Sequence, residues 1–134
     1  MSADLSTTYL GLELRTPIVA SASPLNGDAD SAARVEAGGA SAIVMPSLFE
    51  EEILHEEVEL NRGLEAGAEH FAEALDYFPS IDGFDTVIDR YLRAIEQIRA
   101  RVDIPVVASL NASHPGGWTH HASLIEQAGA DALE

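Results

Sequence analysis

The chain has no cysteine, which excludes a disulfide framework, a thiolate nucleophile and a zinc ribbon. It has no lysine either. All seven basic side chains are arginines, set against 23 Asp and Glu for a net charge of −16. Without lysine, Schiff-base chemistry and a phosphate-loop lysine are outside this chain's reach. So one-sided a charge repels nucleic acid and anionic membranes, so neither is expected as a partner; it also fits a high-salt or generally acidic proteome. No apolar run is long enough to span a bilayer, and MSADLSTTYL has neither the basic nor the apolar region of a secretory leader. A cytoplasmic location is the default expectation.

What is present is the composition of a globular domain. Of the 134 residues, 46% are hydrophobic, enough to bury a core. Ile125–Glu134, IEQAGADALE, reads as a helix end, a glycine turn and the start of a strand, with Gly129 where a left-handed residue is wanted. Val35–Met45, VEAGGASAIVM, has the same order. Two copies of one helix–glycine–strand junction indicate repeated βα units. The second copy breaks off inside its strand, so the chain is expected to be the front part of something longer, with residues 1–134 forming one partial domain.

In chain order, Thr7–Leu14 predicts a short hairpin around Gly11. Ile18–Ala22 is a first buried strand, Ser31–Ala37 a short helix capped by Asp28 or Asp30, and Ala42–Met45 a second strand. Pro46–Phe84 is long for a βα connection. It holds a carboxylate-rich run, Glu50–Glu59, expected to be partly helical with a solvated face, and then Tyr77 and Phe78, which would anchor the loop or form part of a lid. Asp85 or Thr86 caps the clearest helix, whose apolar stripe is Ile88, Tyr91, Leu92, Ile95, Ile98 and Val102. Val106–Leu110 is a third strand, His114–Gly117 a turn, Trp118–Ala128 a helix, and a fourth strand starts at Ala130. Alternating βα units imply a parallel sheet with right-handed crossovers. Two architectures satisfy this order: a (β/α)8 barrel cut roughly in half, or a compact doubly wound sheet of flavodoxin type, which would suit a small non-enzymatic binding module.

In both, function sits at the carboxyl ends of the strands, here Ala20–Ser23, Met45–Ser47 and Ser109–Ser113. All are small or hydroxylic, which lets backbone groups and hydroxyls approach a flat or anionic ligand closely. Five histidines (His55, His70, His114, His120, His121) show no HExxH spacing, and adjacent His120 and His121 point about 100° apart on a helix, so no metal site is expected. Only His114 falls at the functional face.

IVASASPL (Ile18–Leu25), IVMPSLFEEE (Ile43–Glu52) and PVVASLNASHPGGW (Pro105–Trp118), followed by IEQAGADALE, resemble the amino-terminal part of the dihydroorotate dehydrogenase family. The resemblance covers nearly the whole chain except the Glu56–Gly83 region. It implies the amino-terminal half of a (β/α)8 TIM barrel, with parallel strands one to four, a short hairpin ahead of them and FMN at the carboxyl face. The intact protein would be an FMN-dependent dehydrogenase acting on CH–CH bonds of a small pyrimidine-like substrate. By the resemblance, Ser21 and Ala22 would lie against the flavin, Met45 and Ser47 follow strand two, and Ser109 would line the flavin floor with Asn111 near it. Many members carry a Lys-Ser or Lys-Thr pair where this chain has Met45 and Pro46. The family's catalytic base and phosphate-binding loops fall beyond Glu134, so no catalytic residue is assigned and the chain alone is expected to be inactive. Open strand edges would favour homo-oligomers or other association.

Overall fold

The computed structural model describes residues 3–70 and 85–134; Tyr77 and Phe78 lie outside them. Strands β1 (Thr7–Tyr9) and β2 (Leu12–Leu14) form the expected hairpin. Its two-residue turn has positive φ at both Leu10 (51°) and Gly11 (76°), the twist that suits a tight hairpin. The main sheet has four parallel strands in the order β3 (Val19–Ala20), β4 (Ala42–Phe49), β5 (Val106–Asn111) and β6 (Ala132–Leu133). Spatial order therefore equals chain order. A flavodoxin-type sheet would place its first strand between the second and third.

The helices are α1 (Ala29–Ala37), α2 (Glu50–His70), α3 (Val87–Arg99) and α4 (Pro115–Gln127), with a single 3₁₀ turn at Pro24–Asn26. Ala32 of α1, Ile95 and Ile98 of α3 and Ile125 of α4 share one core cluster with Ile43, Met45, Val106 and Ala108 of the sheet. Because strand side chains alternate, those four strand residues mark one face, and three crossover helices pack on it. α3 does most of this. Thr86 and Asp89 cap it reciprocally, and its apolar stripe faces the sheet as the 3.6-residue period requires. Ile95 and Ile98 are fully buried, and truncating one to Ala would cost about 2–5 kcal/mol.

The repeated junctions are the same device twice. After α1, Gly39 has φ 102°, its N–H reaches the Glu36 carbonyl, and Ala40 N–H reaches back to Val35. After α4, Gly129 has φ 98°, its N–H reaches Glu126, and Ala130 reaches Ile125. Both are Schellman closures, which need a residue without Cβ strain at the left-handed position. The next side chain in each copy then holds the start of a neighbouring segment. Ser41 Oγ accepts from Thr16 N–H at 3.0 Å, and Asp131 Oδ2 accepts from Val106 N–H at 2.8 Å.

Several boundaries differ from the sequence expectation. The first strand shrinks to Val19–Ala20, leaving Ile18 62% exposed, because only those two residues find ladder partners on β4. The second strand runs on to Phe49, past Pro46, through a β-bulge. Val44 pairs with Val107 and Ser47 with Ser109, so Met45 and Pro46 together oppose Ala108. A bulge is where a sheet tolerates proline, which has no N–H for the ladder. The expected turn at His114–Gly117 is the first turn of α4: His114 is its N-cap, and Pro115 fits the opening position where no N–H is needed.

Candidate functional site

The second face of the sheet grades from apolar to polar toward its carboxyl edge. Val44 and Val107 are buried side by side. One step on, past the bulge, Ser47 and Ser109 stand opposite each other, their hydroxyls 2.8 Å apart. Another step brings Phe49 opposite Asn111, both exposed. By the two-residue period these pairs lie on one face. The result is an apolar floor, a hydroxyl pair and a rim with one aromatic ring and one amide.

The bulge also creates a polar problem. Leu110 N–H and Ala108 C=O bond with Glu134 beside β6, so the N–H and C=O of Ser109 face β4, where the bulge interrupts the ladder. Tyr91 of α3 fills the gap. Its hydroxyl accepts from Ser109 N–H at 3.0 Å and donates to Ser109 C=O at 3.2 Å. Burial pushes the phenol pKa up to about 12, aided by the nearby Glu134 charge and opposed by the bond from the Ser109 backbone.

Two further residues tie the strand ends together. Buried Asn26 donates from Nδ2 to Ser21 C=O at 2.7 Å and Val44 C=O at 3.0 Å, fixing the loop after β3 against β4. Glu50 opens α2 directly after β4 and is only 4% exposed. Its Oε2 accepts from Ser113 N–H at 2.7 Å, Ser113 Oγ at 3.2 Å and His114 N–H at 3.2 Å, with His114 Nδ1 at 3.3 Å. The Ser113 backbone N–H chiefly lowers the carboxyl's pKa, desolvation opposes it, and the His114 contacts and Ser113 hydroxyl add to the lowering. Ser113 Oγ and Glu50 Oε2 both meet His114 through the same imidazole nitrogen, Nδ1. A Ser–His–carboxylate relay needs the two ring nitrogens to serve different partners, so this cluster is a clamp and not a relay.

Of the residues singled out from the sequence, Ser47 and Ser109 are brought together, with Asn111 one step along the same face. Ser21 and Ala22 are exposed just past β3. Met45 is turned the other way. Its side chain is 1% exposed in the helix-facing core, as alternation from Val44 demands. Glu50 corrects the reading of its run as a solvated face. Glu51, Glu52, Glu57 and Glu59 are exposed, but the first carboxylate of the run is buried at the strand end. Tyr91 was legible only as a stripe residue and Asn26 only as a loop residue. Phe49 had one available signal, an aromatic two residues beyond a strand-end serine.

Among the described residues, no three His, Asp or Glu side chains converge as a metal site, and no helix is long and apolar enough to cross a membrane. No protein-family model matches the chain, and no curated protein matches it.

Proposed function

We propose that this chain is the amino-terminal half of an FMN-dependent (β/α)8 barrel similar to dihydroorotate dehydrogenases. In this reading it supplies strands one to four and one side of the flavin cradle. The observation that supports it most is the winding: four parallel strands in chain order, with crossover helices packed on one face and the hydroxyl-bearing face turned away from them. A barrel requires that arrangement, and its ligands sit at the carboxyl edge. In such a barrel Ser47, Ser109 and Asn111 would lie on the interior face, with Ser21 and Ala22 at the adjoining strand end.

The residues present fit a flat, hydrogen-bonding ring. Ser21 and Ala22 are small enough for close backbone approach, Ser47 and Ser109 offer hydroxyls, Asn111 offers an amide, and Phe49 offers a ring face. Bound flavin would supply the hydride chemistry with a pyrimidine-like or other small substrate; the residues of this chain would orient the ring and keep its floor dry. Val44 and Val107 form that floor. The test is to incubate the purified chain with FMN, remove free cofactor and read absorbance near about 450 nm. Retained flavin supports the reading. A colourless, well-folded monomer contradicts it.

A further inference from the structure

We propose that Asn26 is a positioning residue: its side-chain amide ends the β3–β4 ladder and turns the Ala22 N–H away from the sheet, as a donor to an acceptor atom on the edge of a flat heteroaromatic ring. The proposal rests on the flavin reading above and deepens it by naming the backbone group that meets the ring at the first strand end.

The ladder shows what Asn26 displaces. Pairing of β3 with β4 runs as far as Ala20 opposite Ile43. Ile43 sends its N–H to the Pro105 carbonyl beside β5, so by alternation the N–H and C=O of Val44 face β3. One further step of a parallel ladder would give the Val44 carbonyl to the Ala22 N–H. Asn26 Nδ2 takes that carbonyl instead, at 3.0 Å. Among the described residues the Ala22 N–H has no hydrogen-bond partner.

The second hydrogen of the same amide sets the direction of the peptide. Asn26 Nδ2 also donates to the Ser21 carbonyl, at 2.7 Å. Both partners are carbonyl oxygens, which only accept, so the amide must present its nitrogen to them. In a planar trans peptide the N–H of Ala22 points opposite to the C=O of Ser21. The carbonyl is drawn toward a side chain only 3% exposed, so the N–H points away from it, at a residue that is itself exposed.

Asn26 is in turn fixed by its own turn. Its N–H bonds the Ser23 carbonyl at 3.0 Å, and Ser23 caps the 3₁₀ turn through its hydroxyl. Gly27, the next residue, lies against the β4 bulge, where a Cβ would stand 3.3 Å from Pro46 Cγ. A donor held in one direction before binding loses little freedom when a ligand arrives. The Ala22 methyl is small enough to let a ring edge reach it.

The experiment follows hydrogen exchange at the Ala22 amide of the full chain, free and with FMN, together with the FMN affinities of Asn26→Ala and Gly39→Ala. Gly39 lies before β4, at the opposite end of the sheet, so its variant controls for lost stability alone. In the wild type the Ala22 amide should exchange fast when free and slow by roughly tenfold or more at saturating FMN. Asn26→Ala should bind FMN about threefold to tenfold more weakly, the worth of one hydrogen bond, while Gly39→Ala binds as the wild type does. FMN binding without slowing at Ala22 overturns the proposal and leaves the flavin reading standing. Equal affinity in Asn26→Ala and the wild type, or equal weakening in both variants, does the same. If Asn26→Ala does not fold, Asn26→Ser, whose hydroxyl can serve one of the two carbonyls, is measured in its place against the same control. No FMN binding by the folded wild type removes the flavin reading and this proposal with it, a result distinct from binding that bypasses Ala22.

Discussion

The Tyr91 hydroxyl stands in for a strand at Ser109. It gives one backbone group of that residue a donor and the other an acceptor, where the Met45–Pro46 bulge withdraws β4. Tyr91→Phe leaves both groups without that partner, at about 1–3 kcal/mol for a buried unsatisfied polar group. Chemical denaturation should show a lower midpoint with an unchanged slope. Backbone amide exchange should rise first at Ser109.

The same phenol gives an alkaline signature. Its pKa is raised from 10.0 to about 12 in the folded chain, so the unfolded chain loses its proton first. Stability is full below pH 10 and falls as pH rises toward 12, at about 1.4 kcal/mol per pH unit. Urea unfolding across that range should show the slope in the wild type and a shallower one in Tyr91→Phe.

Glu50 gives the opposite signature in acid. Its carboxyl pKa is lowered from 4.5, so the stability it contributes is present above that value and lost as pH falls through the folded pKa. Glu50→Gln should be less stable than wild type at neutral pH, with the difference narrowing in acid. A difference that stays constant with pH would mean the carboxylate charge is not what holds Ser113 and His114.

Gly39 and Gly129 should behave as a matched pair. Neither has a neighbour closer than 4.0 Å where a Cβ would go, so the cost of Ala is set by backbone conformation alone. Each Gly→Ala change should destabilise by about 1–2 kcal/mol, and the two should add. A neutral result at either site would mean that closure does not need its left-handed residue.

Much of the architecture was readable from residues. VEAGGASAIVM and IEQAGADALE announce their shared closure because a left-handed turn selects glycine. The stripe of α3 announces its buried face. The site was readable in part. Serines at strand ends marked Ser47 and Ser109, but no local pattern tells which face a residue takes after a bulge, and Met45 fell on the other side from Ser47. Glu50 looks like the other glutamates in its run. Its burial depends on the Ser113 and His114 amides 63 and 64 residues away, and a contact at that separation leaves no periodic trace. Tyr91 fits the apolar stripe so well that its second role, as a hydrogen-bond partner for Ser109, is hidden in sequence.

The central claim is that the face carrying Ser47, Ser109 and Asn111 receives a flat flavin ring beside Ser21 and Ala22. The direct measurement is a flavin titration of the wild type alongside Ala22→Trp. That change adds bulk at an exposed residue past β3 and leaves the core untouched. Saturable binding by the wild type, lost in an Ala22→Trp chain with unchanged circular dichroism, is the predicted result. Absence of saturable binding by the folded wild type, or equal binding by Ala22→Trp, would contradict the account.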